Sequence, residues 1–276
     1  MTSAKVICDS ISPTEVRLTS IEVKFHRFIL PEVNTYKMIS KSASSSRAVP
    51  ISKRLEEVRE RPQTPVEWGK NQRGMVAEEM LDEDAAHDAL RIWLEAGEAA
   101  AIYAKALDVL GVHRQVASRL LEPFIEQTML LTSVDYQNMF RQRIHPDAQP
   151  EFRELAIAIK EAYDASEPGL IGYGEWTLPY VLDEERYMDI SILKKLSVAR
   201  VARTSYGNQS QADIEKDLQL FDRLRNAEPP HNAPFEPVAT PAHPGVQVLG
   251  NYPGWHQFRH IMESEKRDEA TKAENK

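Results

Sequence analysis

The sequence predicts an α+β fold, a mixed sheet packed with long helices in one domain. Three observations carry that expectation. Strand-like runs open the chain, a long helical period occupies residues 82–110, and neither an internal repeat nor a shift of composition marks a boundary. The domain is expected over residues 1–262. Residues 263–276 are highly charged and are expected to fray.

Length and charge bound the function. The 276 residues, 42% of them apolar, suffice for a sizeable core. The 34 basic and 42 acidic residues give a formal charge of −8. That balance argues against a protein that coats a nucleic-acid polymer, because neutralising phosphates needs a basic face. It leaves room for a local basic pocket that holds one nucleotide. The single cysteine, Cys8, excludes an internal disulfide and a cysteine cluster for zinc or iron–sulfur. No apolar run approaches a membrane span, and the N-terminus lacks a signal pattern. The expected location is therefore the cytoplasm, that of a host cell for a viral gene.

Taken in order, residues 4–30 read as two strands, KVICDSI and LTSIEVKFHRFIL, joined by a turn at Ser12-Pro13-Thr14. Pro31 ends the second strand or opens a short helix. Residues 51–75 look irregular, because Pro50, Pro62 and Pro65 interrupt a long helix. Residues 68–75, WGKNQRGM, read as a connector or a substrate-touching loop. Residues 82–110 form the best helix. Leu90, Trp93, Leu94, Gly97, Ala101, Ala104 and Leu107 share one face, Asp82 or Asp84 caps the start, and Gly111 suits the end. A second helix over residues 114–121 is expected to turn Val116 and Leu120 inward. An apolar run TMLLTSV, a turn at His145-Pro146-Asp147 and a helix through PEFRELAIAIKEAY follow, with Leu155, Ile157, Ile159 and Ala162 on its apolar side. Further helices are expected at 191–206 and 213–225, the latter with Leu218, Phe221 and Leu224 inward. Residues 228–253 are proline-rich and read as a long loop, and GWHQFRHIM as a short last helix.

The residues that carry chemistry are few. There is no GxxxxGK(S/T) loop, no GxGxxG after a strand, no GxSxG elbow and no metal-ligand spacing. Cys8 sits in a predicted strand and reads as a small core residue. The stretch FHRFILPEVNTYKMISKSASSSRAVP stands out, with five serines between Ser40 and Ser46 flanked by Lys37, Lys41 and Arg47. Backbone N–H groups, hydroxyls and cations in a short run suit a phosphate, although a polar surface loop has the same composition. Arg47, Arg119, Arg143 and Arg203 lie in apolar or motif-like settings. A guanidinium fork matches a phosphate or a pyrimidine carbonyl, and it equally serves a structural ion pair. Arg119 in particular reads either as a snorkelling edge residue or as a buried phosphate ligand.

Four pieces of the chain resemble the flavin-dependent thymidylate synthase family, in the elongated form of bacteriophages. The family's strand runs into RHRxxSxNExSxR. Here Thr35-Tyr36-Lys37-Met38-Ile39-Ser40-Lys41-Ser42-Ala43-Ser44-Ser45-Ser46-Arg47 keeps that spacing and retains Ser40, Ser45 and Arg47. SRLLEP, with Arg119, is similar to an AR–LP segment. NMFRQRIHPDAQPEFR, with Asn138, Arg143, Ala148 and Gln149, is similar to the family's Asn–Arg–AQ segment. VARTSYG with APFEP is similar to ARVSYG paired with SPFEH. In better-known members that last pair precedes the signature strand; here it follows, as in a circular permutation. The resemblance covers roughly two-thirds of the chain and rests on four pieces with correct internal spacing.

The resemblance implies a flavin-dependent thymidylate synthase-like α+β fold in a homotetramer whose active sites are shared between subunits. It implies reductive methylation of dUMP to dTMP with methylenetetrahydrofolate, FAD and NADPH, without a cysteine nucleophile. By position, Ser45, Arg47 and Arg119 would hold the nucleotide's phosphate and sugar. Arg143 would be catalytic, facing the pyrimidine ring and stabilising developing negative charge. Glu32 stands where the family has a glutamine beside the nucleotide. Thr35, Tyr36, Lys37, Asn138 and Ser205 would face FAD. The departures fall mainly on the flavin side: Thr35-Tyr36-Lys37 replaces RHR, Ser42 and Ala43 replace Asn-Glu, and Pro237 replaces the last histidine. Two further readings follow from them. One is a phage enzyme that methylates or hydroxymethylates dUMP or dCMP to make a modified base. The other is a degenerate nucleotide-binding paralogue that partners an active subunit.

Overall fold

A computed structural model describes residues 2–207 and 212–274. Strands β1 (Ser3–Ile11) and β2 (Arg17–His26) pair antiparallel across the predicted turn. They join β3 (Ser40–Ala43), β4 (Glu126–Ser133) and β5 (Gly169–Leu170) in a five-stranded sheet of order β3-β4-β2-β1-β5. Only β5 lies parallel to its neighbour, β1, so the sheet is mixed. Being central, β2 is covered on both faces along much of its length, and Leu18, Ile21, Val23 and Phe25 are wholly buried.

Helices cover the sheet and extend beyond it. The short α1 (Leu30–Val33) takes Pro31 in its first turn, where a missing N–H costs nothing. Helix α2 (Ile51–Glu60) occupies part of the stretch expected to be irregular. Its prolines lie outside it, Pro50 at the N-cap and Pro62 beyond the end, so they delimit a helix here. Helix α3 (Glu83–Val109) begins where Asp82 accepts a 2.9 Å hydrogen bond from the Ala85 amide, and ends before Gly111 at φ +81°. Gly97 lies on its buried face, where an added Cβ would come within 3.2 Å of the Phe124 ring. Trp93 packs edge-on against Phe124, as a core residue does.

Past α3 the expectations need correction. Helix α4 (Arg114–Ala117) passes into a 3-10 turn, Ser118–Phe124. With three residues per turn the inward positions become Ala117, Ser118, Leu121 and Phe124, leaving Val116 and Leu120 on the surface. Helices α5 (Gln137–Arg143) and α6 (Pro150–Asp164) follow, and α6 lies across β1 and β2 with Phe152, Leu155 and Ile159 inward and Ile157 outward. Helices α7 (Ile190–Arg203) and α8 (Ile214–Asn226) pack together beside a ribbon of β6 (Ala239–Pro241) and β7 (Trp255–Gln257). Helix α9 (Phe258–Glu274) runs through the stretch expected to fray. Arg259 pairs there with Glu236 and Glu263, which fastens its first turns.

A buried charge network fixes α7 against α8. Arg200 donates two 2.6 Å hydrogen bonds to Glu185 and one of 2.9 Å to Asp217. Arg203 lies 2.7 Å from the same aspartate. Arg203 is therefore held as a structural ion pair. No described helix is long and apolar enough to cross a membrane.

Candidate active site

Residues 35–47 run from the turn after α1, through the edge strand β3, into the serine-rich loop. Burial alternates along their second half. Ser40, Ser42, Ser44 and Ser46 are buried, whereas Lys41, Ala43, Ser45 and Arg47 stand on the open side. That period of two is the pleat of an extended chain. It divides the serines by task. Ser44 Oγ accepts a 2.8 Å hydrogen bond from the buried Gln127 amide, and Ser46 Oγ donates one of 2.9 Å to Glu122. Among the described residues Ser45 Oγ accepts only from the Arg47 amide, at 3.3 Å, and its O–H, like the Arg47 guanidinium, is turned to the open side.

Each of the other three family-like pieces touches this segment. Arg143 Nε donates to the Tyr36 hydroxyl at 2.9 Å, and that hydroxyl donates to Gln142 at 2.8 Å. The Arg143 guanidinium also rests on the Phe152 ring, 4.6 Å from its centroid. Ser40 Oγ donates to Glu236, in APFEP, at 2.5 Å. The Ser45 amide donates to the Ser205 carbonyl, in VARTSYG, at 3.1 Å. Glu122, in SRLLEP, takes Ser46, Arg119 at 2.7 Å and Arg27 at 3.1 Å. Burial pushes the Glu122 carboxyl up, but the Ser46 hydroxyl and the two guanidiniums outweigh it and hold it below the usual carboxylate range.

Two clefts open at the two ends of β3. The first, of about 660 Å³, is cationic. Lys41, Ser45 and Arg47 form one wall, Ser205 and Tyr206 another, and Arg114 and His231 complete it. Among the described residues no carboxylate lines it. The second, of about 410 Å³, is more apolar, walled by Met38, Ile39, Val134, Met139 and Pro253. Its polar rim holds Thr35, Tyr36, Lys37, Asp135, Asn138, Gln142 and Asn251.

The expected residues therefore fall into two groups and two outliers. Ser45, Arg47 and Ser205 meet in the cationic cleft; Thr35, Tyr36, Lys37 and Asn138 meet in the apolar one, with Arg143 hydrogen-bonded to its rim. Arg119 lines neither cleft. It is 57% exposed and paired with Glu122, between the surface residues Val116 and Leu120. Glu32 also lines neither cleft; its Oε2 is buried with no hydrogen-bond partner in the chain. Sequence reasoning did not single out Arg114, Gln142, Asn251 or Glu122 as neighbours of the site. Only Glu122 carried a signal, its spacing of three from Arg119 on a helical turn. Asn251 lies more than two hundred residues from the Ser40 hydroxyl it donates to at 3.1 Å. Among the described residues no group of three or more histidines, cysteines and carboxylates is placed to hold a metal.

The two clefts suit different parts of a ligand. A pocket lined by two arginines and a lysine suits a phosphate. A pocket of apolar side chains rimmed by a few amides and hydroxyls binds a flat heterocycle.

No protein-family model and no curated protein matches the sequence. Among solved structures, the fold is similar to that of thymidylate synthase X from Helicobacter pylori, determined with FAD and dUMP. The identity is 18% and the TM-score 0.36, over 53% of this chain and 67% of that one. A second structure of a Helicobacter pylori flavin-dependent thymidylate synthase with FAD and dUMP gives 17% and 0.36, over 63% and 72%. The UMP/dUMP methylase PolB from Streptomyces cacaoi, bound to 5-bromo-UMP, gives 13% and 0.48, over 59% and 88%. These are likenesses of fold.

Proposed function

We propose that this chain is a flavin-dependent enzyme that methylates dUMP to dTMP, with methylenetetrahydrofolate as one-carbon donor and NADPH as reductant. The observation that carries the reading is the convergence of the three other sequence-distant pieces on residues 35–47, through four contacts: Tyr36–Arg143, Ser40–Glu236, Ser45–Ser205 and Ser46–Glu122. Spacing matches that arose by chance would have no reason to touch one segment.

In this reading the cationic cleft takes the nucleotide's phosphate. Lys41, Arg47 and Arg114 neutralise it, and Ser45 donates to it. Arg143, held in orientation by Tyr36 and Phe152, offers a fixed positive charge to the negative charge that develops on the pyrimidine. A preplaced cation of this kind needs no reorganisation as the reaction proceeds. The apolar cleft fits the ring system of FAD, with Thr35, Tyr36, Lys37 and Asn138 as the residues that would hold it. Bound flavin supplies the hydride of the reductive step. One chain offers this cleft a single cation, Lys37, so the anionic part of the cofactor needs donors from elsewhere.

A homotetramer with shared sites supplies them. Ile92, Tyr103 and Leu110 are exposed and recur at intervals that place them on one line of α3, opposite the buried Gly97, Ala101 and Ala104. Exposed Val116 and Leu120 flank Arg119. An interface through such surfaces would carry Arg119 to the cleft of a second copy.

The test is the visible absorption spectrum of the purified protein with FAD, then with dUMP or dCMP, followed by product analysis with methylenetetrahydrofolate and NADPH. A flavin band perturbed by dUMP, with dTMP formed, is the expected result. Arg143→Ala should abolish turnover and leave assembly intact; undiminished turnover sinks the catalytic assignment. A second reading, a methylase or hydroxymethylase of dCMP, is favoured by Glu32. Its unpartnered Oε2 could accept from an exocyclic amine. Turnover of dCMP alone would establish it. Tight nucleotide binding with no flavin and no turnover would instead indicate a binding paralogue.

A further inference from the structure

Lys41 occupies a position that the family-like signature leaves unspecified, yet it lines the cationic cleft and hydrogen-bonds to the turn that walls the apolar one. It lines the cationic cleft together with Arg47 and Arg114. Its ammonium bends back under the turn that walls the apolar cleft, donating to the Tyr36 carbonyl and, at 2.9 Å, to the Ile39 carbonyl. Asn251 holds the same turn from the other side, through the Met38 carbonyl at 3.1 Å. An ammonium has three N–H groups. Two are used on the turn, and no carboxylate pairs with Lys41 among the described residues. The charges that act on it are Glu236, which favours its proton, and Lys37, which opposes it. Burial is the largest influence and pushes its pKa down to about 8.

Resting on the phosphate assignment of the cationic cleft, we propose that Lys41 is a positioning residue that couples the two clefts. An anion in the cationic cleft takes its third N–H. The ammonium, held from both sides, then fixes residues 36–39, and with them the Tyr36 hydroxyl that orients Arg143. Phosphate binding at one end of β3 thereby organises the ring-binding wall at the other. Linkage makes the effect reciprocal: whatever seats in the apolar cleft tightens the anion site by the same factor.

The experiment is hydrogen–deuterium exchange of the peptide covering residues 35–39. It is read with and without saturating inorganic phosphate, in wild type, Lys41→Met, Lys41→Arg and Arg47→Met. Phosphate should slow exchange of this peptide in wild type by roughly tenfold, inside the usual range of coupling between sites. Arg47→Met should need more phosphate but reach the same protection. Lys41→Met should bind phosphate and show no change of protection at saturation, and Lys41→Arg should restore part of it. A merely structural lysine would lower protection equally with and without phosphate, and that result overturns the proposal. So does full phosphate-dependent protection in Lys41→Met, or a wild-type peptide that does not respond to bound phosphate. The readout needs neither flavin nor turnover. If phosphate protects the peptide while FAD and dUMP chemistry are absent, the coupling stands and the proposed reaction falls.

Discussion

Replacing Arg47 by methionine isolates what the cationic cleft does. The change removes one of the three cations that line it and keeps much of the side chain's bulk. Arg47 is exposed, and its side chain makes no hydrogen bond or ion pair among the described residues. The fold should therefore be indifferent, within about 0.5 kcal/mol for a surface substitution. A hydrogen bond from a cation is worth about 1.5–3 kcal/mol when its partner is charged, and exposure favours the lower figure. At about 1.4 kcal/mol per factor of ten, dUMP should bind roughly tenfold more weakly. Salt sharpens the test. Raising it from about 0.1 to 1 M shrinks the screening length from about 10 to 3 Å, so wild-type affinity should fall with salt, and that of the variant less steeply. Isothermal titration calorimetry of dUMP at both salt concentrations gives both numbers. Equal affinity and an equal salt slope in the two proteins would mean that the phosphate does not sit in this cleft.

Three further outcomes follow from charges already placed. Because burial brings Lys41 down to about 8, dUMP affinity should drop as pH rises from 7 to 9.5, by about three- to tenfold. Arginine stays charged over this range, and Lys37 and Glu236 are the other charges that act on Lys41; an affinity flat with pH in wild type would exclude Lys41 as an anion ligand. Glu122 is held below the usual carboxylate range, so its contribution to stability is complete above that range and lost as pH falls through its lowered value. Urea melts of Glu122→Gln should show a flatter acid limb than wild type, and parallel curves would refute the cluster's role. Arg200→Met leaves Glu185 and the fully buried Asp217 without their main partner, which costs about 3–5 kcal/mol. At about 2–4 °C per kcal/mol for a chain of this size, calorimetry should record a Tm lower by about 10 °C, and a shift under about 2 °C would show that Arg203 alone neutralises the pair.

What the sequence made legible was whatever local rules decide. Alternation marked β1 and β2, and β2 then proved to be the central strand. Asp82 and Gly111 bounded α3 because a cap acceptor and a left-handed residue each answer a need at a helix end. Where tertiary structure chooses between local options, the reading slipped. Val116 and Leu120 fit an α-helical inner face, but Pro123 sits in a 3-10 turn, and the tighter period turns Leu121 and Phe124 inward instead. The charged run after Glu263 continues α9, whose start Arg259 and Asn232 hold through Glu263. At the site, motif spacing pointed to Ser45, Arg47, Tyr36 and Arg143, which the fold places in or against the two clefts. It could not separate a ligand-facing serine from a structural one, which depends on how the pleat of residues 40–46 meets Gln127 and Glu122. Nor could it foresee Arg114 or Asn251, which arrive through packing with no local pattern to announce them.

The order of the pieces along the chain bears on what holds such a site together. Here the VARTSYG and APFEP pieces follow residues 35–47, the reverse of their order in the family these pieces resemble. A permuted order preserves a site only if the contacts that define it do not depend on which piece comes first. The contacts found here meet that condition. Ser40 to Glu236 spans 196 residues, and each of the other three links joins side chains or amides from separate elements. None is an i to i+3 or i+4 contact that rerouting the backbone would break. What must be conserved under permutation is the edge position of β3, since only an edge strand leaves one flank of residues 40–47 open to receive the other pieces. Burying that edge would therefore cost the site more than moving any one piece along the sequence.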